Sequence, residues 1–356
     1  MENQFVLITG GAGFIGSNIA RSYLERQQPV HILDNLARSG VERNLAELVS
    51  CFPGRVLFTE GDVRDRRTVE EAVETASAVY HLAAQVAVTT SLESPVADME
   101  TNLIGTLNVL ESIRASAAPR PLIFTSTNKV YGKLAHVPLC EHASRYQPQD
   151  SRLAEYGVAE DQPLEFLSPY GCSKGSADQY VLDYARSYGI PATVFRMSCI
   201  YGPYQLGTED QGWVAHFIRQ ALKREPITIY GDGKQVRDLL FVEDLVEAMR
   251  LALDRIDVAS GVAFNMGGGA ANSASLLEIV SEIESLAGDA IRIERGPERL
   301  GDQRWYVADT SKARELLGWN QTTYIRRGLR RLFDWCAERT EAPTQTEIQE
   351  AQCVSL

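Results

Sequence analysis

What is scarce in this chain rules out several classes of function. Positive charge is in deficit: 35 Lys and Arg face 47 Asp and Glu among 356 residues, a formal net charge of −12. No nucleic-acid partner is expected, because a phosphate backbone calls for a basic footprint. The same deficit means that an anionic substrate must be held by local arginines against an unfavourable overall field. Only five histidines occur, none at metal-ligand spacing from another His, Cys or acidic cluster, so no metal site is expected. The six cysteines, at 51, 140, 172, 199, 336 and 353, include no C-x-x-C pair. That fits reduced thiols in a cytoplasmic protein better than a disulfide framework. No apolar run approaches the ~18 residues of a membrane span, and the opening MENQFVLITG carries no basic leader. Neither membrane association nor secretion is expected.

What is present is ordinary in bulk and specific in pattern. Hydrophobic residues make up 44% and charged residues 23%, enough for a well-buried core and two lobes. FVLIT, VHILD, VLFTEG, AVYHLA, LIFTST and TVFRM read as buried parallel strands, apolar and bounded by turn residues. Amphipathic segments such as SNIARSYLERQ, RTVEEAVE and TNLIGTLNVLESIRAS lie between them. This alternation predicts an α/β protein: a Rossmann-type doubly wound parallel sheet with a smaller mixed α/β substrate-binding lobe. The expected division assigns residues 1–198 with 239–266 to the sheet domain and 199–238 with 267–340 to the smaller lobe. Residues 133–167 read as a long, polar, irregular insertion, a feature often tied to function. Residues 341–356 read as a loosely ordered tail.

FVLITGGAGFIGSNIA sets Gly11-x-Gly13-x-x-Gly16 between a strand and a helix, with Gly10 before it. Glycines there let the backbone turn tightly and approach a pyrophosphate at the positive helix end. Asp34 closes the second strand roughly 20 residues after the last glycine, where a carboxylate binds the adenosine ribose and repels a 2′-phosphate. The pattern therefore predicts NAD rather than NADP, with Arg38 nearby as the one feature pointing the other way. Asp62 in GDVRD is placed to accept from the adenine amino group or simply to close a turn. HLAAQ, with Leu82, Ala83, Ala84 and Gln85, is small enough to pass beneath a cofactor, though packing alone would ask for the same residues.

SPYGCSKGSADQY places Tyr170 and Lys174 at i and i+4, on one face of a helix. A phenol titrates near ~10 and is no base at neutral pH. A cation at about 4 Å contributes roughly 4 kcal/mol at an effective dielectric of ~20, enough to lower the phenol by about three units at ~1.36 kcal/mol each. The spacing alone leaves open an ordinary amphipathic helix with a surface lysine.

TGGAGFIG, Asp34, GDVRD, HLAAQ, FTSTNKVYG, YGCSK and RMSCIYGP occur in the order of the extended short-chain dehydrogenase/reductase superfamily, which residues 4–335 resemble. Within it the chain resembles the nucleotide-sugar epimerases, and among these the enzymes acting at C2 of CDP-linked dideoxyhexoses. STNKVYG, the insertion before SPYGCSKG, and DQGWV at 210–214 carry that finer likeness. The resemblance implies bound NAD, a nucleotide-diphospho sugar substrate and a homodimer built on the Tyr-x-x-x-Lys helix. It implies that Tyr170 is the acid/base, that Lys174 holds the nicotinamide ribose and lowers the phenol, and that Thr127 hydrogen-bonds the reacting sugar oxygen. Cofactor contacts are carried over to Gly10, Gly13, Phe14, Ile15, Gly16, Asp34, Asn35 and Arg38. Asp62, Val63, the HLAAQ residues, Asn102 and Thr125 complete that set.

Sugar 4,6-dehydratases of this superfamily resemble T-D-E-V-Y-G, whose acid pair eliminates water. Asn128 and Lys129 stand in those places here, and neither an amide nor an ammonium replaces a general-base carboxylate. The expected reaction is therefore hydride removal and return without elimination, unless the two residues only cap the turn. The resemblance also places diphosphate contacts at Arg237 and Arg299, with Asp302 orienting a neighbour, and sugar or base contacts at Asn128, Gln211 and Trp213. A buried structural role for Trp213 remains an alternative. Cys199 departs from the family, which commonly has Asn there, and reads as a small apolar filler in the substrate region.

Overall fold

A computed structural model describes residues 5–118, 120–299 and 301–340. The expected tail at 341–356 lies outside the described residues. The six strands read from the sequence form, together with a seventh, one parallel sheet: β1 (Phe5–Thr9), β2 (Val30–Asp34), β3 (Val56–Glu60), β4 (Ala76–His81), β5 (Leu122–Thr127), β6 (Ala192–Met197) and β7 (Ala263–Met266). Their spatial order is β7-β6-β5-β4-β1-β2-β3. Side chains alternate across the sheet. Val6 and Ile8 of β1 pack on one face with Ile32, Phe195 and Phe264, while Leu7 packs on the other with Leu33, Val79 and Phe124. Helices Phe14–Glu25 and Val242–Asp254 cover the first face, and helices Arg66–Glu74, Gly105–Ala115 and Pro169–Tyr188 the second. Covering on both faces is why these strands read as apolar runs rather than alternating ones.

The chain leaves β1 for β2 on one side and reaches β4 on the other, so the strand order reverses beside β1. A crevice opens at the carboxyl ends of strands at such a point. The smaller region beyond it carries a parallel pair, Ile227–Tyr230 with Ile293–Gly296. Strand Val236–Phe241 pairs with Cys199–Tyr201, Ser273–Ser275 and Trp305–Tyr306. Val236–Phe241 runs through the boundary expected at 238/239, which therefore falls inside an element. Helices Trp213–Lys223, Leu276–Ala287 and Ile325–Thr340 supply residues to one apolar cluster around Phe217, Ile279 and Leu332.

The 133–167 segment differs from its expectation. It contains an antiparallel hairpin, Leu139–Glu141 with Tyr146–Pro148, and a helix Ser151–Tyr156 capped by Asp150. Leu134, Val137 and Val158 bury themselves against Val236, Trp305 and Tyr306. These few apolar residues are spaced too irregularly to show a period, so the polar composition masked an ordered bridge. No helix among the described residues is long and apolar enough to cross a membrane, and no His, Cys, Asp and Glu group among them could hold a metal.

Candidate active site

The first site element is backbone. Gly10 follows β1 at φ +70°, and a Cβ there would stand 2.7 Å from the Ala83 nitrogen. A Cβ on Gly16 would stand 2.4 Å from the Gly10 carbonyl oxygen. Neither position admits a side chain. Helix Phe14–Glu25 then begins with neither a side-chain cap nor an acid in its first turn, which leaves its N–H groups directed at the crevice.

Asp34 closes β2 with both oxygens oriented: Oδ2 accepts from the Ala12 N–H at 3.0 Å and Oδ1 from Leu36 at 2.9 Å. Burial pushes its carboxyl upward, against those two bonds. Asp62 is gripped by the Arg64 guanidinium and by Asn35, which hold it down at about 2. Arg38 turns across the crevice, donating to the Leu206 carbonyl at 3.0 Å and to the Gln211 side chain. Its guanidinium is thus engaged away from Asp34.

A cavity of about 1120 Å³ runs from these groups to the smaller region. All but one of the residues expected to touch cofactor or substrate line it, including Phe14, Ile15, Val63, Thr125, Arg237 and Arg299. The exception is Asn102. Its amide nitrogen is committed to the Gln85 carbonyl, Asp98 and Ser173 behind the wall. An expectation resting on chain position could not show that the side chain points away. The cavity also takes in Met197 of RMSCIYGP, for which no contact was expected, and Val86, Val88, Leu167, Phe217 and Tyr230, which stood in no motif. Tyr230 alone had a signal, at the end of the strand-like ITIY.

Thr127 ends β5, and the catalytic-helix candidate Pro169–Tyr188 brings Tyr170 to it. Ser168 caps that helix by accepting from the Gly171 N–H at 3.0 Å, and Pro169 occupies its first turn, where the missing N–H has no cost. Tyr170 and Lys174 are both buried. Burial pushes the phenol up to about 12, with the Asp98 charge acting in the same direction and the Thr127 hydrogen bond opposing. Burial pulls Lys174 down to about 8. The acidification expected from the i, i+4 spacing is therefore not a property of the chain alone. Desolvating a phenolate costs more than this lysine returns, and the ammonium lies over the Phe124 ring, 4.3 Å from its centroid.

Beyond Thr127, Asn128 donates to the Gln303 side chain at 3.0 Å. Lys129 and Arg237 both reach one oxygen of Asp302, at 3.2 and 2.6 Å. That pair of cations holds the Asp302 carboxyl well below the usual range despite its burial. Arg299 stacks 3.9 Å over the Tyr230 ring and pairs with Asp210 at 3.0 Å. The Cys199 thiol is pushed up to about 12 by burial and contacts Trp213, which packs edge-on against Phe217 at 5.3 Å. Burial thus favours the neutral thiol of Cys199.

The donor set fits a dinucleotide: a glycine cradle that any Cβ would fill, bare helix N–H groups for the pyrophosphate, an oriented carboxylate for a ribose diol, and a buried Tyr–Lys pair beyond. The model of the family described as GDP-mannose 4,6 dehydratase matches residues 7–332. The chain belongs to that family. It is an enzyme of the nucleotide-sugar epimerase and dehydratase class, within the extended short-chain dehydrogenase/reductases that its motifs resemble. CDP-paratose 2-epimerase of Salmonella typhi is 41% identical over 337 residues, 93% of this chain and 98% of that one. Among solved structures, UDP-glucose 4-epimerase of Thermotoga maritima with UDP-glucose has a TM-score of 0.80 at 31% identity, covering 94% of this chain and 99% of the other. UDP-glucuronic acid 4-epimerase of Bacillus cereus, solved with UDP-glucuronic acid and NAD, has a TM-score of 0.81 at 27% identity, with coverage of 94% and 99%.

Proposed function

We propose that this protein is an NAD-dependent epimerase that inverts C2 of a CDP-linked dideoxyhexose. The observation that carries it is the fate of the two positions after Thr127. Asn128 is tied to Gln303 and Lys129 to Asp302, a carboxylate neutralised by two cations. Neither of the two residues, nor that carboxylate, suits the base of an elimination. The relative that is 41% identical, named a CDP-paratose 2-epimerase, supports the choice of carbon and nucleotide.

NAD, when bound, supplies a hydride acceptor that returns the hydride to the opposite face of the same carbon. Gly10, Gly13, Gly16, Asp34 and Asp62 would hold it, and Arg38, engaged by Gln211, leaves the ribose end free of a phosphate-binding fork. Tyr170 takes the proton of the sugar hydroxyl at its Oη and gives it back. Thr127 orients that oxygen, and the charge of Lys174 favours the phenolate whenever proton transfer begins. Val86, Val88, Leu167 and Met197 line the cavity and offer little to hydrogen-bond, which suits a deoxygenated sugar turning over in place. Arg237 and Arg299 grip the diphosphate while it turns. Incubation with a panel of CDP- and UDP-sugars, followed by NMR, tests the reading. Interconversion of C2 epimers with a C2 deuterium label retained is expected, whereas loss of that label to solvent would overturn direct hydride return.

A UDP-hexose 4-epimerase is the second reading, favoured by the likeness to UDP-sugar 4-epimerase structures. The same panel separates the two. A second copy of the chain would cover the exposed apolar side chains Leu92, Val96, Met99, Ile104, Tyr180 and Tyr188. Sedimentation equilibrium should then give twice the chain mass.

A further inference from the structure

One buried charge has no part in the scheme above. Asp98, on the short helix Pro95–Met99, is 1% exposed. The hydrogen bonds it receives come from neutral donors: the Ser173 hydroxyl at 2.5 Å, the Gln85 amide at 2.7 Å and the Asn102 amide at 3.2 Å. Burial pushes the Asp98 carboxyl up, while the Ser173 and Gln85 hydrogen bonds and the Lys174 charge pull it the other way, toward the carboxylate. No lysine, arginine or histidine among the described residues forms an ion pair with it. The other acid near Lys174 is Asp178, one turn along the same helix. Both its oxygens are occupied by the Arg196 guanidinium at 2.9 Å, and it still raises Lys174 alongside Asp98. Asp98 thus holds Ser173, the residue before the buried Lys174 on the same helix, and the two charges act on each other.

We propose that Asp98 is the counter-ion of Lys174: it keeps that ammonium charged in a desolvated site and, through Ser173, locks the Tyr170 helix to the 82–87 segment. The second half of the device is visible in the hydrogen bonds. Ser173 donates to Asp98 and lies 3.2 Å from the Tyr170 carbonyl, while Gln85 links Asp98 to both the N–H and the carbonyl of Ala87. Asp98 touches neither reacting atoms nor the cavity, so it is a positioning residue, and the inference rests on Tyr170 and Lys174 being the working pair.

The ionisable groups around Lys174 are Tyr170 and Asp178 on its own helix, Asp98 on the packed helix, His81 on β4 and Arg196 on β6. Burial holds His81 neutral, down at about 3, and Arg196 pairs with Asp178. Burial draws Lys174 down to about 8, against the pull of Asp178 and Asp98. Losing Asp98 would leave the lysine only about half charged near neutral pH. The arrangement carries a cost, since the same carboxylate also pushes Tyr170 up.

The test reads the lysine directly and uses no sugar nucleotide, so it stands or falls apart from the substrate assignment. The full chain is labelled with 13C-lysine and titrated by NMR, with Lys174→Met identifying the resonance. Asp98→Asn and Asp98→Ala are two neutral replacements, and whichever retains the wild-type circular dichroism is read. Its Lys174 midpoint is expected to fall by about one pH unit, the lower end of what a nearby opposite charge contributes. Ser173→Ala keeps the carboxylate and should move the midpoint by less than about a third of that. An unchanged midpoint in the folded neutral variant would overturn the proposal, as would an equal shift in Ser173→Ala, which would mark loosened packing rather than lost charge.

Discussion

The two ends of the cleft are made differently. The cofactor end is largely backbone, with glycines where no Cβ fits, open helix N–H groups and one carboxylate fixed by main-chain donors. The substrate end is made of side chains from distant parts of the chain, with Lys129, Arg237 and Asp302 meeting across more than a hundred residues. A backbone site tolerates almost no added volume but has few charges to tune. A side-chain site can be retuned one group at a time, which is how one family accommodates different sugars.

Substitutions at the seam, at each end and at its margin should sharpen that contrast. The largest effect belongs to Tyr170→Phe, where the two ends meet: turnover should drop by at least ~10³-fold while cofactor content, read by absorbance after denaturation, stays at the wild-type level. Retained turnover would break the assignment of the acid/base. Gly10→Ala attacks the cofactor end alone. The positive φ and the 2.7 Å approach to Ala83 should cost about 1–3 kcal/mol, seen as a lower Tm and reduced NAD retention on gel filtration. Arg237→Lys attacks the substrate end, and loss of the guanidinium fork should raise KM about tenfold with NAD retention unchanged. Arg299→Lys, more exposed and balanced by Asp210, should raise it less. Equal effects would mean that the diphosphate is shared evenly. Cys199→Ser should be smallest, under about threefold on kcat/KM, because the thiol sits at about 12 and is not ionised at working pH. Iodoacetamide inactivation that Cys199→Ser abolishes would contradict that.

The same contrast explains what could be read from the residues. Gly10 to Gly16 and Asp34 are close in sequence because one strand–turn–helix unit makes the site, so spacing carried the information. Tyr170 and Lys174 share a helix turn, so their pairing was legible too, but their titration was not. It depends on burial and on Asp98, which lies far away in the chain and in no motif. Lys129 with Asp302, and Asn128 with Gln303, are contacts between segments brought together only by folding, and no local pattern encodes them. Asn102 shows the converse: its place in the chain follows the family, while its side chain serves the wall behind the cavity. The seventh strand, Ala263–Met266, is four residues long and lacked length enough to stand out.

The hairpin segment after β5 has one more consequence. It is continuous with the large sheet, yet its backbone is stitched to the other region, by Tyr146 to Lys234 at 3.0 Å, Val158 to Val307 at 2.7 Å and Asp309 to Val158 at 2.8 Å. Swinging the halves apart as rigid bodies would rupture those bonds together. The stretch around Leu206–Gln211 is held instead through side chains, by Arg38 from one region and by Arg299 and Tyr230 from the other. The two regions are thus joined by main-chain bonds at the hairpin segment and by side-chain bonds at this stretch.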